Sequence, residues 1–235
     1  VAAFATFGLG ARFVPMYEAE LPQVWRYILR DAAVKVLFVA NQAVRDTLGD
    51  VSDLPELKRV LVIDGDGEDS MAALERAGRQ LPVASIRPGI DDVASLIYTS
   101  GTTGDPKGVL LTHGNFTTNV QAGHRIYPDM HCGDRSLSIL PWGHVYGQTA
   151  ELYLFTSFGG SIGIAGGPLT VATDLAEVRP TYLIAVPRVF NRIYDAVWQK
   201  IREEGGIKQK LFEAAVGAAR EHMESGKGGF KYRLL

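Results

Sequence analysis

The sequence predicts an α/β fold of mostly parallel sheets flanked by helices. Three observations predict it. Apolar, β-branched runs alternate with amphipathic helical patterns along most of the 235 residues. The runs are nearly continuous, the pattern of strands covered on both faces. The composition, 46% hydrophobic and 21% charged, is that of a globular chain. A chain of this length can bury roughly 70–75% of its unfolded surface.

The elements follow in order. VKVLFV (34–39) reads as a buried strand, and Asn41 then caps the short helix QAVRDTL. RVLVID (59–64) is a second strand, closed by the turn-like GDGED, and Ser70 caps MAALERAGRQL. VASLIYT (93–99) is a third strand that runs straight into a glycine-rich loop. Thr112 or Asn115 then starts a helix reaching about Tyr127. SLSILP (136–141) is a strand, HVYGQTAELYLFTSF a helix, and SIGIA and TYLIAV (181–186) further strands. From Pro187 to about Gly205 the apolar residues Val189, Ile193, Val197 and Ile201 recur four apart, one helical stripe. Pro187 suits a first turn and Gly205 an end. A last helix covers Ile207 to Ser225.

Charge and cysteine content narrow the function. Net charge is −2, which excludes a broad basic field for nucleic acid. Residues 187–235 carry 10 Lys and Arg against 6 Asp and Glu, so this stretch is open to phosphates or to peripheral contact with a membrane surface. No apolar run approaches the ~20 residues of a membrane span. A single cysteine, Cys132, forms no intrachain disulfide and suits a reducing compartment such as the cytoplasm.

The chemistry concentrates in YTSGTTGDPKG, Tyr98 to Gly108. Gly101, Gly104 and Gly108 permit close backbone approach. Thr99, Ser100, Thr102 and Thr103 supply hydroxyls, and Lys107 a mobile charge suited to phosphate. Pro106 stiffens the loop ahead of the lysine. Strand, glycine-rich loop and helix in that order are expected to aim backbone N–H groups at a polyphosphate near a helix N-terminus. It is not a Walker A loop, since Pro106 stands where that pattern needs glycine and Gly108 where it needs Ser or Thr.

YTSGTTGDPKG resembles the signature loop of the adenylate-forming superfamily, and LPWGHVYG (140–147) resembles its aromatic-His element. RPTYLIAVPRVFNRIYDAVWQKI, FKYRLL and the opening GARFVPMYEAELPQVWRYILRDAAVKVLFV are similar to the long-chain fatty acyl-CoA synthetases of that superfamily. The resemblance implies an acid–thiol ligase that converts a fatty acid, ATP and CoA through an acyl-adenylate, with Mg²⁺. It implies that Thr99, Ser100, Gly101, Thr102, Thr103, Gly104, Lys107 and Gly108 hold the ATP phosphates, Thr99 near the Mg²⁺. It implies that His144, as catalytic residue, and Tyr146 line the acyl-adenylate pocket, and that Arg188 lies near CoA or substrate. Other adenylate formers, acting on aryl or amino acids, and a non-catalytic ATP-binding module are the alternatives.

Several family elements do not follow. The ribose motif, the magnesium-contacting Y-G-x-T-E and the small C-terminal domain are not found. The chain also begins with Val, so residues 1–235 are expected to be a partial large domain, inactive alone. TGD at Thr103–Asp105 and YGQTAE at Tyr146–Glu151 mimic two of those motifs. Asp105 is read as a variable loop residue and Glu151 as a solvent or packing residue. GGSIG (159–163) mimics a hydrolase nucleophile elbow, but that elbow needs a strand before the serine and a helix after it. Here the order is reversed, and Ser161 is not read as a nucleophile. Trp142 is read either as a gate to an acyl channel or as core packing.

Overall fold

The computed structural model describes residues 1–99, 104–167 and 170–225, without the side chains of 223–225. The chain divides into two compact units. The first comprises Val1–Ile164 with Val178–Ile184, the second Ala165–Glu177 with Ala185–Leu235.

In the first unit, α1 (Ala2–Gly8) precedes α2 (Pro22–Asp31), which starts on its proline and needs no donor there. Trp25, Ile28 and Leu29 lie three and four apart and form its buried face. Strands β1 (Val36–Val39) and β2 (Arg59–Val62) pair in parallel, Val36 opposite Arg59 and Val39 opposite Val62. Helix α3 (Gln42–Leu48) connects them, its start capped by Asn41, whose Oδ1 accepts from the Val44 amide at 3.1 Å. Trp25, Leu29, Leu37, Val39, Leu48, Leu54, Val60 and Val62 form one core. Helix α4 (Met71–Gln80) is capped by Ser70, as its sequence predicts.

The segment after the third strand departs from expectation. β3 (Val93–Thr99) is followed, beyond the loop, by a strand, β4 (Lys107–Thr112). The two pair antiparallel, from Thr99 opposite Lys107 to Val93 opposite Thr112. Only then does α5 (His113–Ile126) begin, with Thr112 and Asn115 exchanging capping hydrogen bonds. The glycine-rich loop therefore closes a hairpin. The α5 N-terminus stands at the far end of β4, about 16 Å of strand away by a rise of ~3.3 Å per residue.

β5 (Arg135–Ser138) pairs in parallel with β6 (Ser161–Ile164). Between them lie a π-helix, Gly147–Tyr153, and α6 (Leu154–Phe158), which ends at Gly159 with φ +74°. Ser161 thus follows a helix and opens a strand, the reverse of a nucleophile elbow. Ala94, Ile97, Phe116 and Tyr153 form a second core. TYLIAV does not extend this sheet as a strand. It makes a single bridge, Ser136 to Tyr182. The Thr181 hydroxyl takes up the Arg135 amide and donates to Asp134, and one carbonyl, Arg135, accepts from both the Thr181 and Tyr182 amides. Those bonds replace a regular ladder.

The second unit carries α7 (Val171–Val178), whose last residue belongs to the first unit, α8 (Pro187–Glu204) and α9 (Gly206–Ser225). Gly205, at φ +60°, makes the turn between the last two. Trp198 meets Phe212 edge-on at 5.1 Å, and Arg202 lies over the same indole at 5.5 Å.

Candidate active site

Two structures in the first unit carry the site residues expected from the sequence. One is the β3–β4 hairpin. Thr99 is the last residue of β3 and Lys107 the first of β4, and they are cross-strand partners, both exposed. The hydroxyl and the ammonium stem thus flank the mouth of the loop from a paired, rigid base. Ser100, Gly101, Thr102 and Thr103 lie outside the described residues. Gly104 is exposed with φ +134°, a region L side chains rarely adopt. Gly108 is needed for a different reason. A Cβ there would stand 2.9 Å from Leu96 Cδ1 and 3.2 Å from the Tyr98 ring.

Tyr98 ties this hairpin to α2. Its hydroxyl donates to Asp31 Oδ2 at 2.5 Å, and its ring meets Tyr27 edge-on at 6.4 Å. Burial first, then the Asp31 carboxylate, push its pKa above the ordinary 10.0. Burial does the same to Tyr153. A raised folded pKa on an acid that is neutral when protonated gives stability that is complete below about pH 10 and is lost as the pH climbs above it. Tyr98→Phe is expected to cost about 1 kcal/mol at neutral pH and to flatten part of that alkaline loss. Urea unfolding at pH 7 and pH 11 measures both, and equal stabilities for variant and parent would refute the contact.

The other structure is the turn that leaves β5 at Ser138 and enters the π-helix at Gly147. His144 and Tyr146 stand on it, both exposed. The His144 amide donates to the Pro141 carbonyl at 3.1 Å, and the Gln148 amide to the His144 carbonyl at 3.1 Å. His144 Nδ1 accepts from the Tyr146 amide at 3.1 Å. A neutral imidazole accepting at Nδ1 carries its proton on Nε2, so His144 presents a single N–H donor outward.

Beneath this turn lies a polar cluster that the sequence reading missed. Glu151 is wholly buried, which decides between its two readings, solvent or packing, for packing; the groups around its carboxylate are polar. It accepts from Ser136 Oγ at 2.8 Å and Ser138 Oγ at 2.5 Å, with a longer contact from Trp142 Nε1 at 3.4 Å. Gln148, also wholly buried, donates to the Trp142 carbonyl at 2.7 Å and accepts from the Tyr153 hydroxyl at 3.0 Å. Its amide orientation is fixed, since a carbonyl can only accept. The available signal was the YGQTAE string, whose Gln148 and Glu151 lie three apart on the same helical stripe as the apolar Leu154 and Phe155.

Arg188 belongs to neither of these structures. It is the second residue of α8, exposed, in the second unit.

The family model described as AMP-binding enzyme matches residues 1–224. The chain belongs to that family. It is 35% identical over 228 residues to long chain acyl-CoA synthetase 6, peroxisomal, of Arabidopsis thaliana, covering 91% of this chain and 32% of the relative. It is 31% identical over 229 residues to the long-chain-fatty-acid–CoA ligase FadD15 of Mycobacterium bovis, covering 94% and 38%. Among solved structures it resembles ATP-bound MatB from Rhodopseudomonas palustris at TM-score 0.66 and 26% identity, over 81% of this chain and 37% of that one. The α/β fold is thus that of an adenylate-forming enzyme's large domain. The chain spans about a third of the length of the curated relatives it matches. No helix among the described residues is long and apolar enough to cross a membrane.

Proposed function

We propose that the protein containing this chain activates a long-chain fatty carboxylate with ATP and transfers it to CoA. A carboxylate oxygen attacks the α-phosphorus of ATP, forming acyl-adenylate as pyrophosphate leaves. The CoA sulfur then attacks the acyl carbon, AMP leaves, and the thiol proton passes to solvent. The observation that carries this reading is the 35% identity to a long chain acyl-CoA synthetase over 91% of the chain.

In this reading the Thr99–Gly108 loop, with Ser100, Gly101, Thr102, Thr103, Gly104 and Lys107, surrounds the phosphates. Catalysis of this kind is mainly placement and neutralisation of phosphate charge. Thr99 offers one exposed, neutral hydroxyl, which fits Mg²⁺ only as a partial ligand beside phosphate oxygens; the ion supplies charge neutralisation when bound. The His144 Nε2–H donates to the acyl carboxylate, Tyr146 lies alongside, and Arg188 serves CoA or substrate. The test is product formation by the full-length protein with ATP, Mg²⁺, palmitate and CoA. Palmitoyl-CoA and AMP are expected, with no thioester from benzoate or amino acids. Preference for an aromatic or amino acid would overturn the acid class. An absence of ATP–pyrophosphate exchange with every acid would overturn adenylation.

A further inference from the structure

The cluster under the His144 turn is chemically expensive, which suggests it does more than fill space. Gln148, Glu151, Ser136 and Ser138 are all buried. Buried polar groups cost stability unless every one is bonded, and apolar side chains of the same volume would fill this space without that requirement. What the polar set achieves is direction. Both of its long side chains converge on Trp142, two residues before His144: Gln148 Nε2 on the carbonyl at 2.7 Å, Glu151 on the indole at 3.4 Å.

The helix supporting them is unusual in the same place. Gly147–Tyr153 is π-helical, and Gly147, Gln148, Glu151 and Tyr153 are all buried. A π-turn closes i→i+5 hydrogen bonds and so widens the helix; such turns recur at functional sites. Gln148 is itself oriented from the opposite side by Tyr153, whose ring packs edge-on to Phe116 at 5.1 Å and Phe4 at 5.9 Å. A chain of contacts therefore runs from the aromatic core through Tyr153 and Gln148 to the Trp142 carbonyl, and on to the turn holding His144.

We propose that Gln148 and Glu151 are positioning residues that fix Trp142 from the π-helix and thereby set the direction in which His144 and Tyr146 meet the acyl carboxylate. The proposal rests on the acyl-activating reading of that turn. Neither side chain touches substrate. Gln148 is the main grip, by its shorter bond, and Glu151 the lesser.

Gln148→Glu tests it in the full-length protein. Glutamate keeps the volume and an acceptor for Tyr153; as a carboxylate it loses the donor to the Trp142 carbonyl and faces it with a negative charge. The KM for fatty acid is expected to rise roughly three- to tenfold, the loss of about one hydrogen bond, while the KM for ATP stays put. Trp142→Phe, which keeps an aromatic ring at this half-buried position but removes the indole donor and some volume, is expected to shift fatty-acid KM in the same direction by less, and it carries the test if Gln148→Glu does not fold. Both KM values rising together, or neither moving, would show that the cluster serves stability alone. Hydrogen exchange separates this from the substrate reading. Amides 142–148 should exchange faster in Gln148→Glu than in the parent while α5 is unchanged, whatever acid is converted. Equal exchange across 142–148 would overturn the grip, whereas a parent protein inert toward fatty acids but with the expected exchange difference would overturn only the acid class.

Discussion

Lys107→Ala is expected to slow ATP–pyrophosphate exchange by the full-length protein roughly ten- to a hundredfold, the worth of one charge-assisted hydrogen bond, while leaving fatty-acid binding nearly intact. The expectation follows from where the hairpin puts the ammonium. Lys107 is exposed at the first position of β4, directly across from Thr99. Its stem therefore rises from a paired backbone beside the loop, so the backbone has little freedom to lose on meeting a phosphate and only the side chain must be ordered. Lys107→Arg should recover only part of the rate, since a planar fork replaces a compact point charge. Raising the salt should weaken nucleotide binding by the parent more than by Lys107→Ala, because exposed charges are screened. Exchange at the parental rate in Lys107→Ala would remove the lysine from phosphate handling.

Local signals were the readable part of this sequence. Asn41, Ser70 and Thr112 cap the helices they precede, and Pro187 and Gly205 bound α8, because each depends only on its own backbone. The hairpin was harder. A glycine-rich loop after a strand suggests a helix next, and that expectation hid KGVLLT, whose Val109, Leu110 and Leu111 lie between the loop and the Thr112 cap. Antiparallel pairing across the loop is a non-local fact, set by Tyr98 and Leu96 filling the space that Gly108 leaves open. Glu151, read as a solvent or packing residue, is packed. It stands four and three residues after Gly147 and Gln148 and three and four before Leu154 and Phe155, all buried, so its place on the inner stripe follows the 3.6-residue period, while the polar partners that hold it there, Ser136 and Ser138, come from a distant strand. Thr99, Lys107 and Gly108 stood out by composition as candidates for holding phosphate. Their partners in the fold, Asp31 through Tyr98 and Gln148 beneath His144, did not, since neither contact is written in local spacing.

Gly147→Ala is expected to destabilise the first unit by about 1–3 kcal/mol, the usual cost of overpacking, and to impair the His144 turn as well. Gly147 is buried at the start of the π-helix. A Cβ there would stand 2.7 Å from the Pro141 carbonyl oxygen and 3.3 Å from Leu140 Cβ. The nearest obstacle is backbone, so no side chain can swing aside. That same carbonyl accepts the His144 amide at 3.1 Å. Pushing it away loosens the bond that forms the turn, so fatty-acid KM should rise along with the fall in stability. Gly78→Ala is the matching control. Gly78 lies within α4 with nothing inside 4 Å of a new Cβ, and alanine there should stabilise by roughly 0.5–1 kcal/mol through helix propensity alone. Denaturant unfolding and fatty-acid KM, measured on both variants, separate the two effects. A Gly147→Ala protein as stable as the parent, with unchanged KM, would show that the turn has room the structure does not give it.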